Sequence, residues 1–280
     1  VPAEQRRAAV LGTPIAHSLS PVLHRAAYAQ LGLHWRYDAI EVGEAGLADF
    51  LAGCGPEWAG LSLTMPLKRA IVPLLDEASD LVRLVGAANT VVLGHRGAVG
   101  HNTDVAGIVD ALRESGAQPG PALVIGGGAT AASAVAALAV LGSPQVVVRA
   151  RRPEAVGALR ELAGALGLGL AVEGWPAPGE RLPGRGRAGI VVSTVPAAAA
   201  ADLVPAVPLD PGVLLDVAYD PWPPPLVTAW RAGVGVAVTG DAMLLHQAAA
   251  QVELMTGRRP DVEVMRAALR AEIERRAARS

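Results

Sequence analysis

The chain has 280 residues, 51% of them apolar, with 24 Lys and Arg against 26 Asp and Glu, a formal charge of −2 and a pI near 6.3. That length favours two domains of ordinary size, the apolar content excludes wholesale disorder, and the charge balance leaves no basic footprint for nucleic acid or an anionic membrane. A single cysteine, Cys54, excludes an internal disulfide and fits a reducing compartment, so a cytoplasmic location is expected.

In chain order, "VPAEQRRAAVLGTPIAHS" has no apolar run long enough for a signal peptide, and "RRAAVLG" within it reads as a strand. "SPVLHRAAYAQLG" reads as a helix that starts near Ser20, carries Pro21 in its first turn and stops at Gly32. "WRYDAIEV" is a strand, "EAGLADFLAG" a helix, "WAGLSLT" a strand and "LKRAIVPLLDEAS" a helix. "NTVVLGHRGAVGHNTD" reads as strand, turn and strand, followed by a helix from Thr103 to about Gly116.

A second alternating block follows, with strands at "PALVIGGG", "QVVVRA", "GLAV", "AGIVVSTV", "GVLLDVAY" and "VGVAVTG" and helices at "ATAASAVAALAVLG" and "PEAVGALRELAGALG". Residues 115–148 carry no charge, but they are built of Ala and Gly with Pro119, Pro121 and Pro144 at the joints. A buried strand, a glycine turn and a buried helix explain them better than a membrane span. "GWPAPGERLPGRGR" and "DPWPPP" read as loops, and "DAMLLHQAAAQVELMTG" and "DVEVMRAALRAEIERRA" as two closing helices. Strand–helix alternation of this kind predicts an α/β fold with mostly parallel sheets covered by helices.

"ALVIGGGATA" sets Gly126, Gly128 and Ala131 in the spacing G-x-G-x-x-A, after a strand and opening a helix. The first glycine suits the tight turn, the second lets backbone approach a pyrophosphate, and the small third residue lets helix pack on strand. An NAD site usually has an acid about 20 residues after the first glycine, on the ribose 2′-hydroxyl. Here the next strand ends "VVVRARRPE", with Arg149, Arg151 and Arg152 and no acid before Glu154. A guanidinium cluster suits a 2′-phosphate, so NADP is the expected cofactor; the alternative is a solvated basic turn.

The 24 basic residues include one lysine, Lys68, and asparagine occurs only at Asn89 and Asn102. Carbonyl reduction by a nicotinamide needs a proton for the developing alkoxide. Lysine can release and regain one, whereas arginine stays charged. The six histidines show no metal-ligand spacing, so no metal is expected.

Taken together, "LGTPIAHSLSP", "GLSLTMPLK", "GAANT", "HNTDVAG", "IGGGATA" and "AMLLHQAAAQVELMTG" resemble, in order and spacing, the successive motifs of the shikimate dehydrogenases, actinobacterial members most. The resemblance implies a two-domain enzyme that interconverts 3-dehydroshikimate and shikimate with NADPH. A substrate domain would comprise residues 1–103 and 240–280, and a Rossmann-type NADP domain residues 104–239, with the substrate in the cleft between. It implies Lys68 and Asp104 as the catalytic pair, and Ser18 and Ser20 as the hydroxyls on the substrate carboxylate. Thr64, Asn89 and Gln247 would bind ring hydroxyls, and Tyr219 would make a further substrate contact. Gly126, Gly127, Gly128, Ala129 and Thr130 match the phosphate loop. Ala150, Arg151 and Arg152 fall around the 2′-phosphate, and Val217, Gly240 and Met243 at the nicotinamide end.

The chain departs from the family pattern in places. Ser62 stands where many members have asparagine, which implies a shorter or water-mediated contact to a ring hydroxyl. Ala150 and Arg152 replace the usual Asn and Thr, and Pro224 sits where threonine is common. A small-molecule substrate is expected, with a monomer or homodimer, no nucleic acid and no membrane. Quinate or aminoshikimate dehydrogenase and a catalytically idle NADP-binding paralogue are the alternatives; the paired serines, the arginine turn, Lys68 and Asp104 argue against them.

Overall fold

A computed structural model describes residues 5–278. By its internal contacts the chain divides into two compact units, residues 1–103 with 244–280, and residues 104–243. Among the described residues the strands form two six-stranded sheets, one in each unit, and no helix is long and apolar enough to cross a membrane.

The first unit opens with β1 (Arg7–Gly12), α1 (Ser20–Gln30), β2 (Arg36–Glu41), α2 (Glu44–Ala52) and β3 (Trp58–Leu63). It continues through α3 (Leu67–Ala70), β4 (Glu77–Ala78), α4 (Asp80–Val85), β5 (Thr90–Gly94) and β6 (Gly97–His101). The strand order is β2-β1-β3-β5-β6-β4, parallel from β2 to β3 and antiparallel where β5 joins β3 and β6. β3 is buried along its whole length, as a central strand covered on both faces should be. Leu11, Leu47, Leu67, Ile71 and Val91 pack around it.

The "LKRAIVPLLDEAS" stretch is not one helix. α3 ends after one turn, a 3₁₀ turn follows at Val72–Leu74, and the chain then extends into β4. Pro73 has no N–H for a continuing α-helix. Asp76 meanwhile pairs with the β6 edge: its N–H donates to the Ala98 carbonyl at 3.0 Å, and its Oδ2 accepts from the Ala98 N–H at 2.7 Å. The missed α4 is marked by local chemistry, with Ser79 capping the Val82 N–H and Gly86 ending the helix in the left-handed region at φ 69°.

The second unit holds α5 (Asp104–Glu114), β7 (Ala122–Ile125), α6 (Ala129–Val140), β8 (Gln145–Arg149), α7 (Gly157–Ala165), β9 (Gly169–Glu173) and β10 (Ile190–Ser193). It goes on through α8 (Ala197–Ala201), β11 (Val213–Asp216), α9 (Pro225–Ala232) and β12 (Val236–Thr239). Every pairing in the order β12-β11-β10-β7-β8-β9 is parallel. The order reverses between β7 and β10, the switch point at which doubly wound sheets open a binding crevice beyond their carboxyl ends. β7 and β10 are wholly buried, and Leu123, Val191, Leu214, Leu226, Val227 and Trp230 fill one face of the sheet. The chain closes with α10 (Gly240–Thr256) and α11 (Val262–Ala277), and α11 packs on α1 in the first unit.

Candidate active site

In the first unit, the loops after β1 and β3 are laced together. The Thr64 N–H donates to the Leu11 carbonyl at 2.9 Å and the Thr13 N–H to the Met65 carbonyl at 3.1 Å. Gly12 has no side chain because the Thr64 methyl occupies that space. The Ser20 N–H donates to Ser18 Oγ at 3.3 Å, so Ser18 shapes the entry to α1, whose cap residue is Leu19. Arg276, gripped by Glu272 at 2.7 Å, donates from α11 to the His17 carbonyl at 2.7 Å and the Ser18 carbonyl at 3.4 Å. Sequence reasoning missed that brace; a cation in the last turn of a helix signals only dipole compensation.

Lys68 is half-buried on the short α3, and its carbonyl accepts from the Ala88 N–H at 2.8 Å, one residue before Asn89. Asn89 is 1% exposed. Its Oδ1 accepts from the Thr103 N–H at 2.7 Å and the Thr90 hydroxyl at 2.9 Å, and its Nδ2 donates to Thr103 Oγ1 at 2.9 Å and Gln247 Oε1 at 3.0 Å. The other scarce asparagine has a different role: Asn102 Nδ2 braces the Ala87 carbonyl at 3.0 Å. Ser18, Ser20, Thr64, Lys68, Asn89 and Gln247 thus all lie in the first unit.

The second unit carries Asp104, the buried first residue of α5, where a carboxylate suits the positive end of the helix dipole. Its glycine loop joins β7 to α6. Gly126 takes φ 123°, its N–H donates to the Arg149 carbonyl at 2.8 Å, and the Thr194 hydroxyl fills the space a β-carbon would need. At Gly127 a β-carbon would come 2.8 Å from Val156 Cγ1. At Gly128, the cap residue of α6, it would meet no described atom within 4 Å, and among the described residues no side chain caps this helix. Ala129 and Thr130 open α6, and buried Ala131 and Ala134 seat the helix on the sheet. A tight turn against an open, uncapped helix start is a fitting cradle for a pyrophosphate.

The arginine turn divides its labour. Arg149 is buried and reaches Glu173 at 2.7 Å and Glu180 at 2.6 Å, so it ties the end of β8 to β9 and the following loop. Its inclusion in the anion-binding cluster is corrected: it is already held by two carboxylates. Arg151 lies 5.1 Å over the Trp175 ring and 3.3 Å from Asp202, with 60% of its side chain exposed. Arg152 is also exposed, and Ala150 is buried between the two arginines that flank it. Arg151, whose pairing with Asp202 is solvent-exposed, and Arg152 both face solvent where a phosphate can reach them, and the residues fit NADP.

Beyond β11, half-buried Val217 and Tyr219 follow Asp216 in one loop. Gly240 presses so closely on the Val217 carbonyl that a side chain there would collide with it, and the Gly240 N–H donates to the Ala218 carbonyl at 3.4 Å. Met243, 6% exposed, lies one turn further along α10.

A family model described as the shikimate dehydrogenase substrate binding domain matches residues 10–91, and one described as the shikimate 5′-dehydrogenase C-terminal domain matches residues 242–270. The chain is 37% identical over 274 residues to the NADP(+) shikimate dehydrogenase of Rubrobacter xylanophilus, covering 94% of this chain and 95% of the relative. The chain belongs to the shikimate dehydrogenase family. Its fold is similar to the crystal structure of Mycobacterium tuberculosis shikimate dehydrogenase, with TM-score 0.87 and 43% identity over 95% of this chain and 99% of that one. It is also similar to Thermus thermophilus shikimate 5-dehydrogenase in complex with NADP(H) and shikimate, with TM-score 0.80 and 31% identity over 95% and 99%.

For a shikimate dehydrogenase family member, the site contains more than motif reading finds. Gln251, His24 and Tyr37 are buried polar residues joined to Ser62 and Asn89. Gln251 lies one helical turn beyond Gln247, and that spacing is the one sequence signal that could have flagged it.

Proposed function

We propose that this chain catalyses the reversible NADPH-dependent reduction of 3-dehydroshikimate to shikimate. Family membership over nearly the whole chain carries the reading. The first unit is the substrate-binding part and the second the NADP-binding part. When bound, NADPH supplies the hydride at its nicotinamide. Ser18 and Ser20 hold the substrate carboxylate, and Thr64, Asn89 and Gln247 the ring hydroxyls, with Tyr219 a further contact. Lys68 delivers or takes up the proton on the reacting oxygen, because an ammonium can lose a proton where a guanidinium cannot. Asp104 orients the reacting hydroxyl and Lys68.

Gly126, Gly127, Gly128, Ala129 and Thr130 receive the pyrophosphate, Ala150, Arg151 and Arg152 the 2′-phosphate side, and Val217, Gly240 and Met243 the nicotinamide end. The enzyme acts as a monomer or homodimer in the cytoplasm, which the single cysteine supports. The test is absorbance of reduced nicotinamide with shikimate or quinate, each with NADP⁺ or NAD⁺. Fast reduction with shikimate and NADP⁺ alone is expected. Preference for quinate and NAD⁺ would move the chain to the sibling activity. Silence with NADP binding intact would make it an idle paralogue.

A further inference from the structure

A continuous buried hydrogen-bond network runs through the first unit, and its backbone partners fix the direction of the bonds around Gln251. Gln251 is 1% exposed, and its Nε2 faces the Asn89 carbonyl at 3.1 Å and Thr90 Oγ1 at 3.0 Å. A carbonyl only accepts, so the nitrogen of the Gln251 amide belongs on that side and its oxygen on the other. Both groups facing Gln251 Oε1 must therefore donate: Ser62 Oγ at 2.8 Å and His24 Nε2 at 3.2 Å. Ser62 in turn accepts from the Tyr37 hydroxyl at 2.6 Å. His24, with its proton on Nε2, accepts at Nδ1 from Tyr28 at 3.3 Å and stacks on Tyr37 with centroids 3.9 Å apart. Full burial keeps this imidazole neutral by pushing its pKa down to about 3, as the single-proton assignment requires.

The polarity continues outward. Thr90 accepts from Gln251, and its own proton goes to Asn89 Oδ1 at 2.9 Å rather than to the more distant Thr103 Oγ1 at 3.4 Å. That oxygen also receives the Thr103 N–H, which leaves Asn89 Nδ2 to donate to Gln247 Oε1. Gln247 must then turn its nitrogen away from Asn89, and one of its two hydrogens reaches the Leu244 carbonyl at 3.2 Å. Ser62, 3% exposed, has its proton on Gln251.

We propose that Gln251 is a positioning residue that seats Asn89, whose amide orientation the Thr103 N–H fixes, by holding the Asn89 carbonyl and the Thr90 hydroxyl, so that Asn89 turns Gln247 to offer an N–H to a ring hydroxyl of the substrate, and that Ser62 serves Gln251 rather than the substrate. This rests on the reading of Asn89 and Gln247 as substrate ligands. It replaces the expectation that Ser62 contacts a ring hydroxyl with a role one step back from the ligand. A buried amide held at both ends gives specificity because a reversed Gln251 would set its oxygen against the Asn89 carbonyl and would require the protons of Thr90, Ser62 and His24 to be rearranged.

The test is a double-mutant cycle on Ser62→Ala and Gln251→Met, a side chain of similar length without hydrogen-bonding groups. Shikimate affinity is read by calorimetry and turnover by steady-state kinetics, with melting temperature recorded for each variant. Gln251→Met is expected to raise the shikimate Kd and KM about tenfold, with the NADP⁺ KM within about twofold of wild type, the scale of losing a buried hydrogen bond. It should also reduce the discrimination between shikimate and an analogue lacking one ring hydroxyl. Ser62→Ala is expected to cost about threefold alone and almost nothing in the Gln251→Met background, because its effect passes through Gln251. Equal, additive losses in the two backgrounds would overturn the proposal by making Ser62 a direct ligand. So would unchanged shikimate discrimination in Gln251→Met. If Gln251→Met does not fold, the isosteric Gln251→Glu keeps the cycle in place: ionised it loses both donors to Asn89 and Thr90, protonated it loses one of the two, and in either form it must raise the shikimate Kd. Wild-type protein that binds no shikimate would instead overturn the functional reading itself, and this assignment with it.

Discussion

Thr194 Oγ1 donates to the Ile125 carbonyl at 2.9 Å and thereby stands against Gly126, in the space a β-carbon would occupy. Gly128, two residues on, faces open space. The two glycines therefore fail differently when replaced. Gly126→Ala meets both a collision and a φ of 123°, so it should lower the melting temperature and abolish NADP⁺ binding together. Gly128→Ala should melt as wild type yet bind NADP⁺ at least tenfold more weakly in calorimetry, since its methyl enters the room assigned to the pyrophosphate. Normal affinity in Gly128→Ala would place the phosphates elsewhere.

Lys68 is half-buried on a one-turn helix whose backbone is tied to the loop just before Asn89. Lys68→Arg keeps the charge and most substrate binding. It should nonetheless lower kcat by roughly two to four orders of magnitude, the usual scale of an acid–base group. A loss under threefold in single-turnover kinetics would remove Lys68 from proton transfer.

The arginine turn predicts opposite phenotypes for neighbouring guanidiniums. Arg151→Ser should reduce kcat/KM for NADP⁺ about ten- to a hundredfold and leave NAD⁺ nearly unchanged, as expected for losing a charge-assisted phosphate contact. Arg149→Ser should leave the cofactor preference alone and instead destabilise the second unit by about 1–3 kcal/mol, because Glu173 and Glu180 lose their shared partner. Comparison of the two cofactors with each variant, together with thermal melts, separates the roles.

Two buried groups make stability depend on pH in opposite directions. His24 has its pKa lowered to about 3 from 6.5, so below about 6.5 the unfolded chain takes up a proton that the folded one refuses. Stability is lost as pH falls, by up to about 1.4 kcal/mol per pH unit. Half-buried His101, its pKa lowered mainly by desolvation, acts in the same direction.

Asp216 is fully buried, and burial raises its pKa from 3.8 to about 6 despite the Ala218 N–H at 3.3 Å; its Oδ2 has no hydrogen-bond partner among the described residues. The folded state here binds the proton more readily, so stability is greatest below about 4 and falls as pH rises to about 6. Removing this opposing contribution with Asp216→Asn should make the decline in melting temperature between pH 6 and 4.5 steeper than in wild type. A shallower decline would mean that Asp216 is charged in the folded protein across that range.

The chemistry that depends on neighbouring residues in the chain was legible in the sequence. A turn that needs φ above zero, a helix opening on it and a strand leading into it are all encoded within ten residues of Gly126, and Lys68 stood out by its side-chain chemistry alone. Pro73 announced the break after α3. What each buried polar side chain bonds to was not legible, because its partner comes from far along the chain. Arg149 looked like one of three equivalent arginines until β9 and the following loop brought Glu173 and Glu180 to it. Asn102 is as scarce in the sequence as Asn89, and only the fold shows that it braces the Ala87 carbonyl. Ser62 and Gln251, separated by 189 residues, become one unit only when α10 packs beside β3 and β5. Sequence alone determined the backbone cradle, the alternation of strands and helices and the single lysine. Tertiary structure decided the hydrogen-bond assignments, since a buried donor must find its acceptor wherever the fold places one.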